Sequence, residues 1–168
     1  AHAEAGVNCS ACHLVENKEL NAGPKWIEHP DHTACQSCHG VEVKRFMQGK
    51  HGMRLKNELP PMMPAMARLP MKPESAHREL TCTSCHGAHQ FETQSAAVDA
   101  CLDCHNDKHS LAYEDSPHAE LWQKEINGET EQGTGVSCAT CHMPRVNHDV
   151  SEWFSRIIVD HNQSANLS

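Results

Sequence analysis

The stretch Cys9-Ser10-Ala11-Cys12-His13 opens a five-residue pattern that the chain repeats four more times. The other copies are Cys35-Gln36-Ser37-Cys38-His39, Cys82-Thr83-Ser84-Cys85-His86, Cys101-Leu102-Asp103-Cys104-His105 and Cys138-Ala139-Thr140-Cys141-His142. Each copy reads C-x-x-C-H, which is the attachment sequence of a c-type haem. The two thiols bond to the vinyl groups of one porphyrin, and the histidine becomes the proximal ligand of the iron. The pattern therefore predicts five covalently attached haem c groups.

The cysteine count makes this interpretation specific. All 10 cysteines of the sequence lie in the five motifs, two in each. A disulfide framework would not place a histidine after every second cysteine, and zinc ribbons pair two C-x-x-C units without needing that histidine. We therefore expect thioether bonds and not disulfides. The predicted haem-attaching residues are Cys9, Cys12, Cys35, Cys38, Cys82, Cys85, Cys101, Cys104, Cys138 and Cys141, and the predicted proximal ligands are His13, His39, His86, His105 and His142.

The composition predicts a fold built around the cofactors. The chain has 168 residues, of which 38% are hydrophobic and only 4% aromatic, so a core made of protein alone would be thin. Five large apolar porphyrins supply what is missing, and we expect the chain to wrap around stacked haems. The predicted fold is mostly α with extensive loops and little or no β structure. Without its cofactors the chain is predicted not to fold, because they provide most of the buried surface.

The spacing of the motifs suggests one pentahaem domain over residues 1–168 with three parts. Residues 1–58 hold the first two motifs and residues 74–168 the last three. The segment 59–73 between them is rich in proline and methionine, and its prolines exclude one uninterrupted helix. We expect an extended linker whose methionines pack against haem edges. The alternative is that one methionine is an axial iron ligand, which would raise the potential of that haem.

Apolar spacing predicts helices in four stretches. These are Val41 to Phe46, Phe91 to His105, Ala119 to Ile126, and a stretch that begins at Asp149. The last has the best helical spacing in the chain, with Asp149 and Glu152 arranged like a capping box. Its apolar residues are Val150, Trp153, Phe154, Ile157 and Ile158.

The histidine count bears on function. The sequence has 15 histidines, and five serve as proximal ligands, so ten remain for at most five distal positions. Irons closed by two imidazoles suit an electron carrier, whereas one five-coordinate iron could bind a small molecule and catalyse. The predicted distal ligands are His32, His51, His77, His118 and His161, with His2, His89, His109 and His148 in reserve.

The net charge limits the classes of partner, and the haem motifs indicate the location. The formal net charge is −8, which argues against nucleic acid and anionic lipid and favours a redox partner protein with a basic docking face. No apolar run approaches the roughly 18 residues that span a bilayer. Because haem c attachment is normally completed outside the cytoplasm, we expect an exported protein, periplasmic or extracellular, whose leader has been cleaved. Self-assembly into an oligomer or chain is possible, with a histidine such as His2 ligating a haem of a neighbouring subunit.

The chain resembles the multihaem hydroxylamine oxidoreductase and octahaem cytochrome group, which is related to cytochrome c nitrite reductase. The residues that carry the resemblance are His109-Ser110-Leu111-Ala112-Tyr113, Ser116-Pro117-His118, Trp122, Cys138 to Arg145, Gly49 to Arg54, and Asp160-His161-Asn162-Gln163. The resemblance implies that His109 and Tyr113 line a catalytic pocket and that His118 and His161 are distal ligands. The chain departs from the group in having five haem motifs, where its members usually have eight, or five including a Cys-x-x-Cys-Lys. In size and haem count it is similar to the pentahaem electron donors of nitrite reductase.

Two functions remain open from the sequence. The first is a pentahaem c-type cytochrome that transfers electrons between redox partners through closely packed bis-histidine haems. The second is an enzyme like hydroxylamine oxidoreductase or nitrite reductase, in which one open haem acts on a small nitrogen or sulfur compound. In that case His109 would donate a proton beside the bound ligand, with Tyr113 nearby.

Overall fold

The computed structural model describes residues 2–17, 22–90 and 92–165, which form short helices joined by long loops. This confirms the mostly α fold with little β structure. Three short 3-10 turns also occur, at Pro64–Met66, Pro73–Ser75 and Cys82–Ser84. The helices are α1 (Ser10–His13), α2 (Thr33–Gln48), α3 (Met53–Lys56), α4 (Thr93–Ala97), α5 (Asp99–Leu102), α6 (Lys108–Glu114), α7 (Pro117–Ile126) and α8 (Cys138–His142). The strands are β1 (Leu14–Val15), β2 (Lys25–Trp26), β3 (Arg145–Ser151) and β4 (Phe154–Val159).

Two of the predicted helices are present, and both begin earlier than expected. Helix α2 includes the predicted stretch 41–46 and starts before it, with a break in helical geometry at His39, where φ is −110° and ψ is 35°. Helix α7 begins at Pro117, which is favourable because proline suits the first helical turn. The side chain of Ser116 caps it by accepting a hydrogen bond from the Ala119 N–H.

The helix predicted for 91–105 is two short helices. Residue 91 lies outside the described residues, and α4 and α5 are separated at Val98, whose φ of −138° and ψ of −62° are not helical. The side chain of Val98 is buried. Because a β-branched residue is less favourable in a helix, burying this side chain stabilises the break between α4 and α5.

The predicted amphipathic helix after Asp149 is wrong, because this stretch belongs to a β-hairpin. Strands β3 and β4 pair antiparallel from Arg145↔Val159 to Ser151↔Phe154. The apolar residues are β-branched or aromatic, and such residues favour strands. Of these five residues only Ile158 is buried, and it pairs with Val146, whereas its neighbour Ile157 is 68% exposed.

The protein-only core is small. Among the described residues its buried hydrophobic side chains are Val43, Phe46, Val98 and Ile158, and no side chain is less than 2% exposed. Helix α2 supplies two of these four residues. The hairpin contacts this helix through an ion pair between Arg156 and Glu42 at 3.3 Å. The polypeptide alone therefore buries little apolar surface.

Two loop segments fix the positions of histidines. The linker 59–73 lies against the fourth motif, because Met71 pairs with His105 and the Lys72 N–H donates to the Cys104 carbonyl at 2.8 Å. The segment after β4 lies against the end of α2, where buried Asp160 faces Arg45 at 3.8 Å. Within the described ranges, no helix is long and apolar enough to cross a membrane.

Candidate functional site

Each attachment motif lies on a helical turn. The His13 N–H donates to the Cys9 carbonyl at 3.0 Å, and the same bond closes the motifs of His86 and His105. Residues three and four positions apart share one face of a helical turn. The two sulfurs and the imidazole of C-x-x-C-H therefore face the same side, as attachment to one macrocycle requires. No disulfide joins any of the ten cysteines, all of which are described.

Each motif histidine faces a second histidine from elsewhere in the chain. The two ring centroids are 5.9 to 6.2 Å apart in all five cases. The pairs are His13 with His89, His39 with His2, His86 with His161, His105 with His51, and His142 with His109.

This spacing fits an iron between the two rings. An imidazole nitrogen binds a transition metal at about 2 Å and lies about 1 Å from its ring centroid, so two imidazoles on opposite sides of one metal have centroids about 6 Å apart. No group of three or more His, Cys, Asp or Glu side chains is arranged for a bare metal ion among the described residues. A porphyrin supplies four iron ligands itself and needs only two from the protein. The paired imidazoles and adjacent thiols therefore fit haem c.

Local structure holds three of the second histidines. His51 precedes Gly52, where any side chain would overlap the carbonyl and ring of Phe46, so the chain passes close to α2. His109 lies in the first turn of α6, and its N–H donates to the Asp107 carboxylate at 3.0 Å. His161 follows Asp160, whose N–H donates to the Pro144 carbonyl at 2.9 Å.

Backbone carbonyls orient two of the imidazoles. The Nδ1 atom of His13 lies 2.7 Å from the Ile27 carbonyl, and that of His161 lies 2.9 Å from the Val159 carbonyl. A carbonyl at Nδ1 fixes the tautomer that leaves Nε2 free for a metal. The indole of Trp26 also stacks on His13, with centroids 4.8 Å apart and planes 9° apart.

Burial keeps several of the paired imidazoles neutral. Burial and the nearby His105 lower the pKa of His51. Burial, together with its partner His161 and with His39, lowers the pKa of His86. Burial and the partner His109 lower the pKa of His142. A neutral imidazole is the form that binds a metal.

A buried acid lies between two of the pairs. Asp107 is 8% exposed, and its Oδ2 lies 3.9 Å from Nδ1 of His105. Although burial opposes its charge, hydrogen bonds from Ser110 and from the His109 N–H, with His105 nearby, lower its pKa.

The thiols of successive motifs are neighbours. Burial and the Cys82 thiol raise the pKa of Cys35 to about 11, with a smaller effect from Cys12. Burial and Cys104 raise the pKa of Cys85, and hydrogen bonding with Cys138 raises that of Cys101. Each of these interactions joins motifs that follow one another in the sequence.

The structure brings some predicted ligands to the motifs and leaves others apart. His51 and His161 face motif histidines, as do His2, His89 and His109 from the reserve. Among the described residues, no imidazole pair includes His32, His77, His118 or His148. His118 is exposed on α7, His77 is exposed with a φ of 62°, and His148 lies on β3 opposite Arg156.

One sequence feature would have favoured two of the reserve histidines. His89 lies three residues after His86, and His109 four residues after His105. A histidine just beyond a motif stays close to that attachment site and can face the haem of another motif. Tyr113, predicted to lie in a catalytic pocket, donates its hydroxyl to the Val136 carbonyl at 2.9 Å.

Comparison with known families agrees with the motifs. The family model for cytochrome c3 matches residues 74–155, and the model for cytochrome c554 and c-prime matches residues 34–100. These matches do not support the expected resemblance to the hydroxylamine oxidoreductase and octahaem cytochrome group. No curated protein and no solved structure matches the chain significantly. The matches support a multihaem electron-transfer cytochrome of the c type, and cytochrome c families carry covalently bound haem c.

Proposed function

We propose that this protein is a pentahaem cytochrome c that transfers electrons between redox partner proteins, with every iron held by two histidines. The observation that carries the proposal is the set of five imidazole pairs at 5.9 to 6.2 Å. The proposed sites are numbered by motif, and each joins a proximal and a distal histidine. They are site 1 (His13, His89), site 2 (His39, His2), site 3 (His86, His161), site 4 (His105, His51) and site 5 (His142, His109).

The chain contributes rigid ligation in this proposal. Haem, when bound, supplies an iron that gains and loses one electron. Two cysteines would attach each haem covalently, and two imidazoles would hold its iron. Because the protein would supply both of these ligands from fixed positions, little would have to move when an electron arrives or leaves. The same arrangement leaves no position for a substrate.

The neighbouring thiols support a route through the molecule in motif order. Site 2 lies between sites 1 and 3, since Cys35 interacts with Cys12 and Cys82. Site 4 lies between sites 3 and 5, since Cys101 interacts with Cys85 and Cys138. Sites 1 and 5 are then the ends at which partners exchange electrons.

The position of His109 favours electron transfer over the enzymatic alternative. That alternative needs His109 free beside an open iron, where it would donate a proton. Its ring centroid lies 6.1 Å from that of His142, which is the spacing expected of a second axial ligand. Tyr113 is engaged with a backbone carbonyl.

The charge of the chain supports a partner with a basic docking face. Residues 92–131 contain ten acidic and two basic side chains, and they include the distal ligand of site 5.

We propose that the protein works in the periplasm or outside the cell, where haem c proteins are assembled.

The experiment is an electron paramagnetic resonance spectrum of the oxidised holoprotein, with its haem content measured by intact mass. We expect five haems and a wholly low-spin ferric spectrum. A high-spin signal from one haem would overturn full bis-histidine ligation and favour the enzyme.

Alanine variants test the pairing itself. His2→Ala, His51→Ala, His89→Ala, His109→Ala and His161→Ala are each expected to turn one haem of five high-spin. The matched controls His32→Ala, His77→Ala, His118→Ala and His148→Ala should leave the spectrum unchanged. A high-spin haem in any control would show that the pairing is wrong for that site.

A further inference from the structure

Asp107 is a buried acid that lies between two of the proposed sites. It precedes α6 and caps it, accepting hydrogen bonds at Oδ1 from the N–H groups of His109 at 3.0 Å and Ser110 at 3.3 Å. Its Oδ2 accepts from the Ser110 hydroxyl at 2.7 Å. The carboxylate therefore fixes the turn that presents His109 to His142.

The same carboxylate faces the other site. Its Oδ2 lies 3.9 Å from Nδ1 of His105, whose other ring nitrogen, Nε2, would then be the one that holds the iron of site 4. His105 belongs to site 4 and His109 to site 5, so one side chain adjoins a ligand of each. With only 8% of its surface exposed, its charge is weakly screened by solvent.

We propose that Asp107 is a positioning residue that sets the electron-transfer step between sites 4 and 5. A separation of 3.9 Å is too long for a hydrogen bond, so the carboxylate acts on His105 through its charge. A nearby negative charge stabilises the oxidised iron, so Asp107 lowers the potential of site 4, and to a smaller extent that of site 5. This inference rests on the pairing proposed above.

His13 provides a contrast within the molecule. Its Nδ1 faces the neutral carbonyl of Ile27 at 2.7 Å, so its imidazole is oriented without an added charge. Site 4 therefore has a charged outer partner where site 1 has a neutral one. The difference separates the potentials of the two sites.

The test is a redox titration of the holoprotein with Asp107→Asn, followed by nuclear magnetic resonance, which resolves individual haems. Asparagine caps helices as well as aspartate does, so the fold of α6 is kept while the charge is removed. The haem on Cys101 and Cys104 should shift upward by at least a tenfold change in its reduced-to-oxidised ratio, which is about 59 mV for one electron. The haem on Cys138 and Cys141 should shift less, and all five should stay low-spin.

Glu114→Gln is the matched control, because it removes one exposed charge from the end of the same helix. Asp107→Ser, which keeps a capping oxygen without charge, should behave like Asp107→Asn. Asp107→Glu keeps the negative charge, so its site 4 potential should lie closer to the wild type than that of Asp107→Asn. Equal small shifts in Asp107→Asn and Glu114→Gln would overturn the inference. A wild-type spectrum that is not wholly low-spin would instead overturn the proposed function, so the two failures are distinguishable.

Discussion

The five imidazole pairs and the β3–β4 hairpin are held together in opposite ways. The pairs join residues far apart in the sequence, from 33 positions for His109 and His142 to 76 for His13 and His89. The hairpin joins residues at most 14 positions apart, through the backbone ladder from Arg145↔Val159 to Ser151↔Phe154. Long loops cost entropy to close, and two imidazoles do not attract each other enough to offset that cost. The pairs therefore depend on the cofactor, whereas the hairpin depends on the chain itself.

Removing all haem should have the largest effect on the stability of the fold. We expect the chain expressed without haem attachment to show no cooperative thermal transition, because the buried hydrophobic side chains described are only four and long-range pairing would lack its ligand. Circular dichroism during heating, with the holoprotein as control, makes the measurement. A cooperative transition in the haem-free chain would mean that the polypeptide core suffices.

Cutting the 59–73 segment should not separate the two halves of the chain, as long as the imidazole pairs stay bound to their irons. Sites 1 and 4 each join a residue before this segment to one after it, His13 to His89 and His51 to His105. A holoprotein with an engineered protease site in the segment should, after cleavage, elute as one species in size-exclusion chromatography, although denaturing gels show two fragments. The control is the cleaved variant with His51→Ala and His89→Ala, which should separate. If the cleaved wild type separates, the crossed ligation is wrong.

Within the hairpin, neighbouring residues should differ in their contribution to stability. Ile158 is 5% exposed and Ile157 is 68% exposed. Ile158→Ala should lower the free energy of unfolding by about 2–4 kcal/mol, as buried isoleucine truncations do. Ile157→Ala should change it by less than ~0.5 kcal/mol. Guanidinium unfolding of the holoproteins measures both, and equal effects would show that Ile158 is not buried in the folded protein.

The ion pair between Arg156 and Glu42 should contribute least. Its atoms are 3.3 Å apart, but the arginine side chain is 43% exposed. We expect Arg156→Gln to cost about 0–1 kcal/mol, and the cost to fall as salt is added. Unfolding at low and high ionic strength tests this, with Lys124→Gln, which breaks the exposed pair with Glu120, for comparison. A cost well above that range would indicate that the pair holds the hairpin in place.

The sequence predicts local features of this protein well, because their causes are local. The motifs predict which residues attach haem, and α7 follows from a proline, a capping serine and apolar spacing. The sequence of the hairpin predicts a helix instead, because its apolar residues satisfy helical spacing: Val150, Trp153, Phe154, Ile157 and Ile158. Their β-branched and aromatic side chains, with a turn at 152–153, favour strands instead.

The distal histidines could not be chosen reliably for the opposite reason. His32, His77 and His118 have local surroundings as suitable as those of His51. What separates them is which distant motif each one faces, and that depends on the path of the whole chain. His2 and His39 meet only because the first two motifs lie side by side, a relation that no window of sequence contains.

The crossed pairing also bears on how the protein matures. A chain exported amino-terminus first would present His2 and His39 together early, whereas His13 would wait for His89 to emerge. The third motif is the last to meet its partner, since His161 comes after every attachment sequence. On this pairing the third iron would be the last to receive its second ligand, and in an exported chain it would be open to any small ligand in the compartment until residue 161 leaves the export channel.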